Sequence, residues 1–308
     1  MEDFIGVTRM KLEELTDVDM KVYPTYDCGS ECPFCMTDLR WKNLEISTEA
    51  YLESFKKAFD VYYKAGGRKV LFTGGEPTRR PEKLIGMLRE IRDVPLDLVV
   101  LYTNGLTLLY EFGGERLIDH LSSEGLQDIN ISLHHYDPKR RQELSKQEVC
   151  DIDAVSEAAK QKDIRIRLNC TLLRDYVGNY DEIINYLDFA RRLGIYDVYF
   201  RDLFHLKNRE RSCEFANRDK LAYTDEQRID FHELLNSIRR DGRFHEIDQL
   251  NRHRDHGQTH IFKYNGMRVS FGTLEIGTES NEEVTYFNFQ PDGNVYRDMN
   301  GPESKLEL

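Results

Sequence analysis

Apolar runs alternate with amphipathic helical patterns from residue 19 to residue 203. Six short runs rich in Val, Ile, Leu, Phe and Tyr are predicted to be strands, over 19–25, 68–76, 96–105, 128–138, 164–173 and 195–203. Between them apolar positions recur at helical spacing, and helices are predicted over 47–67, 81–92, 115–125 and 179–194. The segment 139–162 is predicted to be mainly helical. Six strands alternating with helices are typical of βα units around a parallel sheet.

The number of strands narrows the fold class. Six strands are too few for a closed eight-stranded barrel, so we expect an α/β fold, an open partial (β/α)6 TIM-like barrel, over residues 1–203. Such sheets bind ligands at the carboxyl ends of their strands. Residues that could bind a metal or a ligand lie at these ends of the first three predicted strands. They are three cysteines, Gly74-Gly75-Glu76 and Asn104-Gly105.

The pattern changes after Leu203, and we expect residues 204–308 to form a second region. A polar stretch is followed by a helix predicted over 224–242, with Thr224 as its cap and Gln227 at the capping-box position.

Strand-like alternation dominates the end of the chain. It begins at His260, and Pro291-Asp292-Gly293 is typical of a hairpin turn. We therefore expect a small antiparallel β appendage over 260–299.

Composition and charge exclude several classes of function. The 308 residues are 40% hydrophobic and 32% charged, and no apolar run approaches the ~18–20 residues of a membrane span. The acidic N-terminus has no apolar signal core, so a cytoplasmic location is expected. The net charge is −12 and no Lys/Arg block of five occurs, so neither a nucleic acid nor a membrane is expected as a partner.

The cysteines carry the clearest chemical signal. Cys28, Cys32 and Cys35 follow a C-x3-C-x2-C spacing and make up half of the six cysteines. Three thiolates can hold three irons of a [4Fe–4S] cluster, whose full cysteine ligation takes four, so one iron would stay open. A zinc site completed by a His or a distant Cys, or three unrelated thiols, are the alternatives.

Strand parity predicts a polar inner face on the fourth, fifth and sixth strands. Successive side chains of a strand point to opposite sides, so alternate polar residues share one face. These residues are Ser132, His134, Arg165, Arg167, Asn169, Tyr199 and Arg201. Inward arginines suit an anionic or strongly polar ligand, and the alternative is a salt-bridge network at the rim with some of the 55 acidic residues.

Six segments at these positions together resemble the radical S-adenosylmethionine superfamily. The resembling branch contains the molybdenum-cofactor GTP cyclase and the peptide-maturing enzymes that carry SPASM or twitch domains. The segments are CGSECPFC (28–35), TGGEP (73–77), YTNG (102–105), INISL (129–133), RLNCTLL (167–173) and YFRDL (199–203).

The resemblance implies the cofactors and the reaction. It implies a [4Fe–4S] cluster on Cys28, Cys32 and Cys35, with S-adenosylmethionine on the open iron. One electron from the reduced cluster then cleaves a C–S bond, and the resulting 5′-deoxyadenosyl radical takes a hydrogen atom from the substrate. An electron donor such as flavodoxin or ferredoxin is expected as a partner.

The resemblance also implies which residues bind S-adenosylmethionine. Phe34 is expected over the adenine, Glu76 or a carbonyl of its glycine turn at the ammonium group, and Ser132 at the ribose or the carboxylate. The full expected set is Phe34, Thr73, Gly74, Gly75, Glu76, Asn104, Ser132, Arg167, Asn169 and Arg201.

Two further residues are candidates for catalysis. The family often has Asp where His134 stands, so His134 is expected to contact the substrate or carry a proton. The alternative is a structural histidine that is hydrogen-bonded to a neighbouring carboxylate. Cys213 lies in a polar stretch that could cross the barrel mouth, and a thiol there could give a hydrogen atom to a substrate radical, as in an epimerase. Cys150 and Cys170 are expected to be buried small hydrophobes.

These observations favour an enzyme that tailors a small polar metabolite by oxidation, epimerisation, elimination or rearrangement. No cysteine follows Cys213, so we expect neither an auxiliary cluster nor the cyclase reaction. A peptide-modifying (RiPP) enzyme and a non-catalytic Fe–S or zinc protein remain as alternatives.

Overall fold

Six parallel strands form the centre of the fold. A computed structural model of the protein describes residues 18–35, 44–206, 218–251, 257–273, 275–276, 287–297 and 304–307. The six strands lie side by side in chain order, which confirms the predicted partial barrel. They are β1 (Met20–Val22), β2 (Lys69–Phe72), β3 (Leu98–Thr103), β4 (Asp128–Ser132), β5 (Arg165–Thr171) and β6 (Asp197–Arg201).

Helices connect these strands. They are α1 (Thr48–Lys64), α2 (Pro81–Ile91), α3 (Leu117–Ser123), α4 (Pro138–Ser145), α5 (Ile152–Gln161) and α6 (Tyr180–Arg192). Ser47 caps α1, because its side chain accepts a hydrogen bond from the backbone N–H of Ala50. The segment 139–162, predicted to be mainly helical, contains α4 and α5. Within the described residues, no helix is both long and apolar enough to cross a bilayer.

The two faces of the central sheet differ in polarity. The outer face packs against the helices through buried apolar side chains, including Ile129, Ile131, Leu168, Cys170, Val198 and Phe200. Burial of such a side chain stabilises the fold by about 1.5–3 kcal/mol. The alternate residues point inward, as strand parity predicts, and on β4, β5 and β6 they are polar.

Both edges of the central sheet are extended by strands from the C-terminal region. Beyond β6 lie β7 (Phe244–Asn251), β8 (Gln258–Tyr264) and β9 (Met267–Gly272), and beyond β1 lie β10 (Phe287–Phe289) and β11 (Val295–Tyr296). The predicted antiparallel pairing is present as β8–β9 and β10–β11, and β7, which lies before the predicted range, pairs antiparallel with β8. However, β9 pairs in parallel with β6 and β10 pairs in parallel with β1, so β1 to β11 form one eleven-stranded sheet.

The helices of the C-terminal region begin at other residues than predicted. The structure has α7 (Arg218–Glu226) and α8 (Phe231–Arg240) in place of one helix over 224–242. Asp230 caps α8, since its side chain accepts from the N–H of Glu233 at 2.9 Å. Thr224 lies inside α7, where its hydroxyl donates to the carbonyl of Lys220, so its predicted capping role is wrong.

Candidate functional site

The three clustered cysteines lie on the loop that follows β1, at the carboxyl ends of the strands. All three thiols are partly exposed, and none forms a disulfide. The backbone N–H of Cys35 donates to the carbonyl of Cys32 at 3.1 Å, which gives the C-x2-C segment a tight turn. Among the described residues, no three His, Cys, Asp or Glu side chains converge on the position of a single metal ion.

Burial controls the protonation of two of these thiols. Burial raises the pKa of Cys28, and hydrogen bonds with Ser30 oppose this increase. Burial also raises the pKa of Cys32, to about 12. Both thiols are therefore protonated at neutral pH in the free protein. Because the thiolate is the form that binds metal, loading a metal group here must release protons.

The Gly74-Gly75-Glu76 turn is paired with the loop that carries the cysteines. The N–H of Gly75 donates to the carbonyl of Thr25 at 3.0 Å, and the N–H of Glu76 donates to the carbonyl of Asp27 at 2.9 Å. A Cβ on Gly75 would lie 2.5 Å from the carbonyl oxygen of Tyr26. Glycine is therefore required here for close approach to the cysteine loop itself.

The carboxylate of Glu76 is buried and fully engaged. Its Oε1 accepts from the N–H and the hydroxyl of Thr78 and from the hydroxyl of Thr103, and its Oε2 accepts from the N–H of Asn104. Burial raises the pKa of Glu76, and these hydrogen bonds oppose that effect. The carboxylate thus ties together two strand-end loops, and its expected contact with an ammonium group stays a prediction.

Two other residues predicted to bind the cofactor, Thr73 and Asn104, form backbone or turn hydrogen bonds beside these loops. The N–H of Thr73 donates to the carbonyl of Val22 at 2.9 Å, which continues the pairing of β1 with β2. The side-chain oxygen of Asn104 accepts from the N–H of Leu106 at 2.9 Å, a local turn after β3. Their cofactor contacts stay predictions.

Ser132 and Asn169 stand opposite each other on the inner face of β4 and β5. Both side chains are partly buried. The side-chain oxygen of Asn169 is buried and has no hydrogen-bond partner among the described residues. A buried acceptor without a donor costs about 1–3 kcal/mol, so this oxygen is suited to accept from a bound hydroxyl or N–H group.

His134 continues the inner face beyond β4. Its Nδ1 accepts from the N–H of Thr171 at 3.1 Å, which leaves the ring proton on Nε2. Burial, reinforced by the charge of Arg201, lowers the pKa of His134 to about 3. The partner of His134 is thus a backbone N–H rather than the carboxylate considered above. The ring is neutral at physiological pH, and this disfavours proton transfer from a charged imidazolium.

Phe34, between the second and third cysteines, is 6% exposed. It belongs to a small apolar cluster with Leu144, Leu173 and Leu203, against which Cys32 packs. The edge of its ring contacts His134, with centroids 4.8 Å apart. Phe34 therefore anchors the cysteine loop, and a further contact with adenine stays a prediction.

The inward arginines divide into two groups. Arg165 forms a two-pronged bond with Asp128, and Arg167 bonds Asp197 at 2.8 Å, as the rim salt-bridge alternative predicts. Arg201 differs, because its guanidinium lies 4.7 Å from the ring centroid of Phe204 at the carboxyl end of β6. Arg201 is therefore the inward arginine placed at the same end of the sheet as the cysteines.

Two of the three remaining cysteines lie among the described residues. Cys150 and Cys170 are 6% and 0% exposed, which confirms that they are buried. Cys213 lies outside the described residues, so its expected role as a hydrogen donor stays a prediction.

Sequence reasoning missed two lysines that support the cysteine loop. Lys83 of α2 is 2% exposed and donates to the carbonyl of Pro24 at 3.2 Å, just before the loop. Lys220 of α7 donates to the carbonyl of Cys35 at 3.1 Å, and its charge lowers the pKa of Cys32 against the larger effect of burial. Nothing in the local sequence distinguishes either lysine from the exposed ones around it.

The residues present fit the cofactors that the cysteine motif implies. Three partly exposed thiols on one loop are the donor set of a cluster with one open iron. Asn169 supplies a buried, unpartnered acceptor on the inner face, which suits the hydroxyl groups of a nucleoside.

Comparison with known proteins supports the same interpretation. The model of the radical SAM superfamily matches residues 22–190. Molybdenum cofactor biosynthesis protein 1 of Drosophila melanogaster is 28% identical over 225 residues, which are 70% of this chain and 37% of that protein. A probable GTP 3′,8-cyclase of Sulfurisphaera tokodaii is 29% identical over 187 residues, or 60% of this chain and 56% of that protein. The chain thus matches about half or less of the length of these relatives.

A solved structure extends the likeness to the C-terminal region. The crystal structure of Streptococcus suis SuiB bound to precursor peptide SuiA has a TM-score of 0.58 at 14% identity. The alignment covers 92% of this chain and 60% of that chain, so the two share a fold.

Proposed function

Because the chain belongs to the radical SAM superfamily, whose members are enzymes that use a [4Fe–4S] cluster and S-adenosylmethionine, we propose that it abstracts hydrogen from a small polar metabolite. The outcome would be a biosynthetic tailoring step such as oxidation, epimerisation, elimination or rearrangement. When bound, the cluster and S-adenosylmethionine supply the electron and the 5′-deoxyadenosyl radical that this chemistry needs.

The chain's own residues would bind and orient these groups. Cys28, Cys32 and Cys35 would hold the cluster, and Asn169 would accept a hydrogen bond from the ribose. Glu76 would keep the neighbouring loops in register through the bonds that it accepts from Thr78, Thr103 and Asn104. Preorganisation of this kind lowers the cost of positioning reactants during the reaction.

The polar inner face of the sheet is the observation that supports a small polar substrate. Asn130, Ser132, Asn169, Tyr199 and Arg201 alternate with the buried apolar residues of β4, β5 and β6 and share the inner face of the sheet. These side chains offer hydroxyl, amide and guanidinium groups, so this part of the sheet suits a ligand rich in oxygen and nitrogen.

Anaerobic reconstitution tests the enzymatic part of the proposal. The protein is loaded with iron and sulfide, reduced with dithionite and given S-adenosylmethionine, and 5′-deoxyadenosine is measured. We expect product from the wild type and from Cys170→Ala, which removes a buried cysteine distant from the loop in sequence, and none from Cys32→Ala. Absence of 5′-deoxyadenosine above background in the wild type would sink the proposal.

The same assay tests the class of substrate. A cell extract is divided by ultrafiltration into a metabolite fraction and a peptide fraction, and each is added to the reconstituted enzyme. We expect the metabolite fraction to stimulate 5′-deoxyadenosine formation. Stimulation by the peptide fraction alone would replace the small-molecule proposal with the peptide-modifying one.

A further inference from the structure

A cationic side chain from the C-terminal region lies against the cysteine loop. The ammonium group of Lys220, on α7, donates a hydrogen bond to the backbone carbonyl of Cys35 at 3.1 Å. Lys220 itself is partly buried, so its charge is less screened than that of a fully exposed lysine. The ammonium group therefore lies at the cysteine loop, where its positive charge acts on the thiol of Cys32.

The position of α7 is fixed by the central sheet. Gln227, at the end of α7, is 3% exposed and bonds the loop after β5. Its carbonyl accepts from the N–H of Arg174 at 2.9 Å, and its side chain exchanges bonds of 3.1 and 2.6 Å with the N–H and carboxylate of Asp175.

A second contact holds the middle of the same helix. Tyr223 packs with Cys32 against the apolar cluster of Phe34, Leu173 and Leu203. Lys220 lies one turn before Tyr223, on the N-terminal side of both contacts, and its bond to Cys35 adds a third contact between α7 and the rest of the fold.

We propose that Lys220 is a positioning residue that sets the reduction potential of the cluster through its charge. Reduction adds one negative charge to a cluster, and the charge and hydrogen bonds around a cluster tune its potential. A nearby ammonium group stabilises the more negative, reduced form and so raises the potential. The inference rests on the proposed ligand role of the three cysteines.

Three substitutions separate charge from hydrogen bonding. Lys220→Gln keeps an N–H donor without the charge, Lys220→Met removes both, and Lys220→Arg keeps both. Arg218→Gln is the matched control, because it removes a charge from an exposed position of the same helix. The readout is the midpoint potential of the reconstituted cluster, measured by a redox titration followed by EPR, without S-adenosylmethionine or substrate.

We expect the potential to follow the charge. At the wild-type midpoint, the ratio of reduced to oxidised cluster should fall at least about tenfold in Lys220→Gln and Lys220→Met, which is a shift of about 59 mV to more negative values for one electron. Lys220→Arg and Arg218→Gln should keep the wild-type ratio.

Each other outcome has a defined meaning. A wild-type potential in the Gln and Met variants at full iron content overturns the proposal. If both of these variants fail to bind iron, a fully loaded Lys220→Arg protein with a wild-type potential supports the need for charge, and a failure of the Arg variant overturns it. The redox titration does not depend on turnover, so it remains valid if no substrate is found. Full iron content in Cys32→Ala would instead contradict the ligand role of the cysteines on which this proposal rests.

Discussion

The backbone N–H of Asn104 donates to Oε2 of Glu76 at 2.6 Å, so a single buried carboxylate joins the loops after β2 and β3. The other oxygen of Glu76 accepts three bonds from Thr78 and Thr103. All four partners are donors, which is an arrangement that a carboxylate satisfies and an amide does not.

Glu76→Gln should therefore destabilise the protein although it preserves the shape of the side chain. The new N–H2 group would face the N–H of Asn104, and the lost bond should lower the free energy of unfolding by about 1–3 kcal/mol. Urea denaturation measures the change, with the exposed Glu82→Gln of α2 as the control. Equal stabilities of the two variants would contradict the network described above.

Gly75→Ala should separate the two loops that surround the cysteines. The added Cβ would lie 2.5 Å from the carbonyl of Tyr26, and relief of this clash should cost about 1–3 kcal/mol of unfolding free energy. Gly242→Ala is the matched control, because a Cβ there meets nothing within 4 Å. The interpretation is wrong if thermal melts place both variants at the same temperature.

Asn169→Ala should weaken cofactor binding without weakening the free protein. The buried side-chain oxygen has no partner among the described residues, so its removal relieves an unsatisfied group and should leave the cofactor-free protein at least as stable as the wild type. The affinity for S-adenosylmethionine should fall about tenfold, which corresponds to about 1.4 kcal/mol. Equilibrium dialysis with the reconstituted protein measures this, and Asn185→Ala, at an exposed position of α6, is the control.

His134→Gln should change how stability depends on pH. The folded-state pKa of His134 is about 3, below the ordinary value of 6.5, so between these values the unfolded chain binds a proton that the folded protein does not. The wild type should therefore lose stability relative to the variant by about 1.4 kcal/mol per unit as pH falls below 6.5. Urea denaturation at about pH 7, 6 and 5 measures the gap, and a constant gap would contradict this prediction.

Local sequence patterns were sufficient to predict the six central strands. Their alternation places Ser132, Asn169 and Arg201 on one face, and the structure has them there because the opposite face is buried against helices. The cysteine motif and the glycine turn were also evident, since both are contiguous in sequence. What the sequence did not indicate was that Gly75 is needed for approach to Tyr26.

Two of the missed contacts depend on partners distant in the chain, those of Gln227 and of Lys220. Thr224 and Gln227 match a capping box, yet Gln227 is engaged by Asp175 and Asp230 caps the next helix instead. The contact of Lys220 with Cys35 joins residues on two elements whose proximity no periodicity reports. Propensity and spacing describe neighbours along the chain, and tertiary contacts override them.

The pairing of β1 with β10 has a consequence for how the protein is made. Met20 stands beside Phe287, so the strand that leads into the cysteine loop acquires its second neighbour only from a segment that is synthesised much later. Until then one edge of β1 is open to pairing with other chains. Parallel contacts between such distant residues also form slowly, because a long loop must close first. Nascent protein should therefore be most prone to aggregate just before synthesis reaches Phe287–Phe289.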